Sequence, residues 1–490
     1  MEREDLRLLH EYMHNARRTD KTKIFFISLQ EAFLAHRGII TYIPITFVVV
    51  LMFIAASWEV FFTTTDPARY QCYALTFWLG RNGAHLLPPQ QCSFLWQVGA
   101  WGKGTQPPFR MLPLEYPPLT LVPFSLALLA PLSYYQLVFA FLMALTAVLI
   151  YWLLLRYGPR GAGLIFALYL LGGAVATAHV RYDLLPAALT LISLIAAERR
   201  HWAGAYVALA FGVLLKIYPI LLLPALFFAE QQAEERFYIP PHSLSLVTLP
   251  RHIWNTLQVM RQWRWKNCMI FLGVLGGVTG GFALLNFQGA IINQLLYFAQ
   301  RPVQVESSGG TLLWFTHLLG ASLKITNAFG SINLVNPFSS IVSFISTLML
   351  IAGFSYCLII QWRGKMDVVQ TGTALILVFI ATGKVFSPQY VIWLIPLLGY
   401  VGAFDAFWFF IWGPAAVLTT IIFAFYYTRP VDPLAIPLTP GFFQVVAIRN
   451  ILFGIVTLAY LFNWFNARQR RLPPLLTGRE TKPLYVKSQF

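Results

Sequence analysis

The chain has 490 residues, of which 58% are hydrophobic and 11% charged, and its formal net charge is +16. Soluble domains carry about 25% charged residues, so this composition excludes a soluble globular protein and marks a polytopic integral membrane protein. The basic residues sit in short clusters between apolar runs, which is the pattern of topology signals and argues against a nucleic-acid partner.

The apolar runs are continuous and lack the alternation of a barrel strand, so they predict helices. In chain order they cover residues 38–58, 135–155, 161–179, 184–198, 203–216, 218–229, 268–286, 338–361, 367–384, 388–404, 406–427 and 442–464. This predicts an all-α fold with about 12 transmembrane helices, in a range of roughly 10 to 13, and a large first extracytoplasmic loop. The runs 203–216 and 218–229 are short and read as half-depth elements joined at Tyr218-Pro219.

Residues 1–37 read as a cytosolic N-terminal segment, 38–465 as the transmembrane domain, and 466–490 as a basic, disordered cytosolic tail. With the N-terminus in the cytosol, 24 of the 35 Lys and Arg residues fall on the cytosolic side, which satisfies the positive-inside rule. That assignment requires residues 119–132 not to cross. Pro117, Pro118, Pro123 and Pro131 make a straight spanning helix unfavourable there. The stretch is therefore read as a re-entrant part of an outer loop covering 59–134.

In this topology the outer acids are Glu59, Asp66, Glu115, Asp183, Glu306 and Asp432. A carboxylate base working on that face comes from this set. Asp66 precedes Pro67, a pattern that also reads as the cap of a following loop helix. Glu115-Tyr116-Pro117-Pro118 holds a carboxylate and a phenol on a stiff backbone, and equally reads as a membrane-surface turn with a Tyr anchor. Arg181-Tyr182-Asp183 interrupts two apolar runs at the outer edge, where charges are costly. Lys216-Ile217-Tyr218-Pro219 places a Lys inside an apolar run. It needs an anion, either a protein carboxylate or a substrate phosphate, or else snorkels to the surface. Arg301-Pro302-Val303-Gln304-Val305-Glu306 and Lys384 with Gln389 and Tyr390 add further outer polar strings that suit an anionic lipid head group. No His or carboxylate cluster has metal-ligand spacing, so neither a metal site nor a cofactor is expected. Cys72 and Cys92 share the outer loop, where an oxidising compartment permits a disulfide; Cys268 and Cys357 read as packing residues.

These strings resemble the GT-C class of integral-membrane glycosyltransferases, and more closely the bacterial polyprenyl-phosphate-mannose-dependent alpha-mannosyltransferase family. The resemblance rests on Asp66 with Tyr70, EYPPL at 115–119, RYDLLP at 181–186, LLKIYPILLLP at 214–224, RPVQVES at 301–307 and KVFSPQYVIWLIPL at 384–397, in family order. It implies an inverting transferase of the cell membrane with its site on the extracytoplasmic face. Its donor is a polyprenyl-phosphate sugar carrying a hexose, with mannose the first expectation, and its acceptor an extracytoplasmic glycan or lipid. The first-loop Asp66 is the implied general base, with Glu115 the next carboxylate. Donor or acceptor contacts fall on Arg181, Lys216, Arg301 and Lys384, with Tyr70, Tyr116, Asp183, Tyr218, Gln304, Glu306, Gln389 and Tyr390 from the same strings. The loop between Tyr70 and Glu115 is longer than the family's usual stretch and holds Gly-Lys-Gly at 102–104. The alternative class is a transporter or flippase of lipid-linked sugars, which favours internal repeats and midplane charges.

Overall fold

The computed structural model describes residues 39–97, 107–236, 247–428 and 432–468. The expected segment 1–37, the Gly-Lys-Gly segment and most of the tail lie outside the described residues. Residues 466–468, expected in the tail, close a short 3-10 turn, and Arg468 Nε donates to the Tyr460 carbonyl at 2.9 Å. That tie to the last helix replaces the expected disorder there.

Among the described residues six helices are long and apolar enough to cross a membrane: Ile40–Glu59, Leu132–Tyr157, Lys266–Leu285, Ser339–Trp362, Trp408–Tyr426 and Phe442–Phe462. Six more apolar helices are shorter: Pro118–Leu129, Ala162–Gly173, Leu184–Glu198, Trp202–Leu215, Val368–Thr382 and Tyr390–Val401. The expected count of about 12 full spans is therefore not what length alone supports. The reason is local. The short helices stop at the polar strings: Arg181-Tyr182-Asp183 precedes Leu184, Lys216 follows Leu215, and residues 383–389 separate Thr382 from Tyr390. Lys216 itself is extended (φ −156°, ψ 132°), so the helix breaks there, two residues before Tyr218-Pro219.

The short helices occupy the middle of the bundle. Every residue of Tyr390–Val401 is buried, whereas Lys266–Leu285 and Ser339–Trp362 leave most of their apolar surface uncovered by protein. A helix apolar all round and enclosed by neighbours is core, and one left uncovered in a membrane protein faces lipid.

Residues 118–129 form 3-10 and α turns that lie against the Asp66–Leu79 helix. Phe124 stacks on Tyr70 at 4.2 Å, Trp78 Nε1 donates to Ser125 Oγ at 2.7 Å, and Gln71 Nε2 donates to the Leu132 carbonyl at 2.8 Å. The stretch thus stays beside the loop helix through Phe124, Ser125 and the following Leu132.

One departure from the all-α expectation is a hairpin. Strand β1 (Lys324–Ala328) pairs antiparallel with β2 (Ser331–Val335), Lys324 opposite Val335 and Ala328 opposite Ser331. The two turn residues, Phe329 and Gly330, both have positive φ (55° and 62°), the twist-matched geometry of a two-residue hairpin. Residues 303–305 add along β2: Val305 N donates to the Ile332 carbonyl at 3.0 Å and Leu334 N to the Val303 carbonyl at 2.9 Å. Val303, Val305, Ile332 and Leu334 share a small core with Phe442 and Val446.

Candidate active site

The loop helix begins at Asp66, but its cap is Thr65. Thr65 Oγ1 accepts from Ala68 N at 3.3 Å and donates to Gln136 Oε1 at 2.6 Å. Asp66 is the first helical residue and Pro67 the second, where a missing N–H costs nothing. The Asp66 carboxylate is thereby relieved of capping. Its Oδ2 meets Arg181 at 2.6 Å, while Oδ1 has no hydrogen-bond partner among the described residues.

Arg69 and Tyr70 follow at the three- and four-residue spacing that shares a helix face. Arg69 pairs with Glu115 at 2.7 Å and lies over the Phe94 ring at 4.6 Å. Tyr70 is fully buried and meets Tyr116 and Tyr182 edge-on, each at 5.7 Å. Glu115 is aimed by its neighbours. Gln294 Nε2 donates to the carbonyls of Pro113 (3.1 Å) and Tyr116 (3.0 Å), and Pro117 is in an extended conformation. The hairpin turn closes on the same carboxylate: a Cβ on Gly330 would stand 2.5 Å from Glu115 Oε1. Tyr297 anchors that turn through its hydroxyl to the Phe329 carbonyl at 3.0 Å.

The third pair answers the question Lys216 raises. Its ammonium meets Asp183 Oδ1 at 2.6 Å, and Trp393 Nε1 donates to the same oxygen at 2.5 Å. Asp183 is fully buried, and Lys216 is also within 4.9 Å of the Tyr182 ring centre. Tyr218 stacks on Trp393 at 4.1 Å, and Tyr390 stacks on the same Trp393 ring at 3.9 Å. Gln389 sits buried just before the Tyr390–Val401 helix.

Arg301 and Lys384 differ from these. Neither has a carboxylate partner within 4 Å among the described residues. Arg301 lies over the Tyr297 ring at 5.2 Å and is in electrostatic reach of Tyr390, Glu115 and Tyr116. Lys384 is brought alongside by its own carbonyl, which accepts from Gln304 N at 2.9 Å.

Gln304 and Glu306 are buried behind this surface. Gln304 uses its whole amide internally, donating to Ser387 Oγ at 3.0 Å and accepting from Phe386 N at 2.9 Å. Glu306 is enclosed with Arg449 (3.2 Å) and Tyr427, whose hydroxyl donates at 2.5 Å. Sequence reasoning missed Arg449, although it is the one charge inside the apolar run 442–464. It also missed Trp393, Gln294 and Gly330, which carry no charge to attract notice.

Asp66, Glu115, Arg181, Asp183, Lys216, Arg301 and Tyr390 thus gather at one end of the bundle. The basic clusters assigned to the other side gather at the opposite end, where Arg199 lies over Tyr157 at 4.3 Å and Arg468 reaches the Lys365 carbonyl. Burial raises the Asp66 carboxyl above the ordinary aspartate range; Arg181 and Arg69 pull it down without cancelling the effect. Cys72, on the Asp66–Leu79 helix, is disulfide-bonded to Cys92. Among the described residues no three His, Cys, Asp or Glu side chains are grouped to hold a metal ion.

No protein-family model matches the sequence, and no curated protein matches it. Among solved structures, ArnT from Cupriavidus metallidurans bound to undecaprenyl phosphate superposes with a TM-score of 0.42 at 15% identity, over 87% of this chain and 78% of that one. The same protein in the apo state gives 0.36 at 15% identity, over 86% and 77%. Likenesses that loose decide nothing about the chemistry, which rests on the side chains above.

Proposed function

We propose that the protein is a membrane glycosyltransferase that moves a hexose, with mannose the first candidate, from a polyprenyl-phosphate sugar to an extracytoplasmic glycan or glycolipid, with inversion. One observation carries this reading. Three ion pairs, Asp66–Arg181, Glu115–Arg69 and Lys216–Asp183, share one end of a membrane bundle with two cations, Arg301 and Lys384, that have no carboxylate partner within 4 Å among the described residues. A site with more basic than acidic groups, and a carboxylate among them, suits an anionic head group and a proton acceptor together. The resemblance of the polar strings to the polyprenyl-phosphate-mannose-dependent family points the same way.

The chemistry balances on these groups. An acceptor hydroxyl attacks the anomeric carbon and forms the new C–O bond. The bond from that carbon to the phosphate oxygen breaks, and its electron pair leaves on the polyprenyl phosphate. Asp66 Oδ1 takes the hydroxyl proton, while Arg181 holds Oδ2 and fixes the carboxylate's direction. Arg301 and Lys384 neutralise the charge that grows on the departing phosphate. Attack opposite the leaving group inverts the anomeric centre. The Cys72–Cys92 disulfide supports an oxidising, extracytoplasmic setting for the site.

The test is transfer by the purified protein from a panel of radiolabelled polyprenyl-monophosphate hexoses, run beside diphosphate-linked donors. The expected result is sugar transfer with release of polyprenyl monophosphate. Transfer from diphosphate donors only, or movement of intact donor across proteoliposomes without transfer, overturns the reading.

A further inference from the structure

Arg301 and Lys384, which have no carboxylate partner among the described residues, sit on two separate segments, and one buried ionic group stands behind both. Arg449 lies seven residues into the Phe442–Phe462 helix, about 10 Å from its start at 1.5 Å per residue, and is fully buried. Toward residues 301–307 it makes a forked contact: Nη1 reaches Glu306 Oε2 at 3.2 Å, and Nη2 donates to the Glu306 carbonyl. Toward residues 384–390 its guanidinium lies over the Phe386 ring at 3.8 Å. The same two segments are laced together by Gln304, whose N–H donates to the Lys384 carbonyl and whose side chain bonds Phe386 N and Ser387 Oγ. Asn450 completes the group, donating to the Glu306 carbonyl at 3.0 Å and to Thr311 Oγ1 at 2.8 Å.

From this geometry we infer that Arg449 is a positioning residue that holds the Arg301 and Lys384 segments in register, so that their two charges form one site for a lipid-linked monophosphate. The inference rests on the function proposed above. Arg449 does not touch the ligand. It acts through Glu306 and Phe386 on the backbone at both segments.

A purely stabilising role makes a different prediction. Replacing a buried ion pair by apolar side chains of similar volume commonly leaves stability intact, whereas removing one partner strands the other. Thus Arg449→Gln lowers the melting temperature, and the double variant Glu306→Met with Arg449→Met, made together with Tyr427→Phe so that no hydroxyl is left without its acceptor, recovers it. Asn450 still serves the Glu306 carbonyl in that double variant. If Arg449 positions the segments, affinity for undecaprenyl phosphate does not return with stability.

The experiment uses full-length protein in nanodiscs, with melting temperature, undecaprenyl phosphate binding and backbone hydrogen exchange measured for wild type, Arg449→Gln and the double variant. We expect the double variant to melt like wild type but bind undecaprenyl phosphate about tenfold more weakly, one decade of Kd. We also expect faster exchange in both 301–307 and 384–390. Wild-type affinity and wild-type exchange in the stable double variant overturn the inference. If wild type binds no undecaprenyl phosphate, the proposed function falls, and the exchange data still decide the clamp: loosening of both segments supports it, and unchanged protection of either overturns it.

Discussion

At the scale of the residue, the decisive detail is which side chain caps the loop helix. Asp-Pro is a common helix start, and on that pattern Asp66 itself satisfies the first amides. Thr65 does so instead, and Asp66 Oδ2 turns to Arg181 while Oδ1 has no hydrogen-bond partner among the described residues. A base must be ionised to work, so turnover falls as pH drops through the Asp66 pKa. Burial raises that pKa, so the acidic limb of kcat/KM lies above the ordinary aspartate value of about 3.9. A profile that stays flat down through the ordinary range contradicts this. Lys216 makes a contrasting prediction. Its carboxylate partner Asp183 is fully buried, so Lys216→Met strands a charge and costs roughly 3 kcal/mol of stability, read as a lower melting temperature. Unchanged melting shows that Lys216 is free for the ligand. The sequence of Lys216-Ile217-Tyr218-Pro219 stated the need for an anion. It did not say which, because Asp183 is distant along the chain and only the fold brings it near.

At the scale of the element, the hairpin is what sequence reading missed. Its strands are five residues each and half exposed on β1, too short and irregular to stand out among apolar helices. Yet its turn lies on Glu115, and its edge carries residues 303–305. Gly330 is required there twice, by its positive φ and by the lack of room for a Cβ. Gly330→Ala is expected to cost roughly 1–2 kcal/mol from the left-handed backbone alone. It is also expected to displace Glu115 and lower turnover more than it lowers melting temperature. Wild-type turnover in this variant separates the hairpin from the site. The helices themselves were legible, since continuous apolar runs ended at charged strings, and those strings are where the short helices stop. Their lengths were less legible, because a buried short helix and a spanning helix share the same composition.

At the scale of the whole molecule, charge asymmetry and the gathered strings agree: the groups read as outer meet at one end and the basic clusters at the other. The pairing Cys72–Cys92 was left open by sequence, because two cysteines in one loop need not approach. In the fold they tie the Asp66–Leu79 helix to the loop that follows it, across a separation of 20 residues. Cys72→Ser with Cys92→Ser is expected to lose about 3 kcal/mol for a loop of that length, seen as a lower melting temperature. Equal melting before and after reduction argues against a closed bridge. The position of Arg449 was visible as a lone charge in a run of apolar residues, but its target was not, since Glu306 lies in another string read as a ligand contact.

The proposed reaction turns on Asp66 as proton acceptor, paired with Arg181, at the end of the bundle that also carries Arg301 and the Lys384 segment. The most direct measurement is single-turnover transfer from a purified polyprenyl-monophosphate hexose by wild type, Asp66→Asn and Glu115→Gln, with donor binding measured alongside. The account predicts that Asp66→Asn binds donor as wild type does and loses about two to four orders of magnitude in rate. Near wild-type transfer by Asp66→Asn contradicts it.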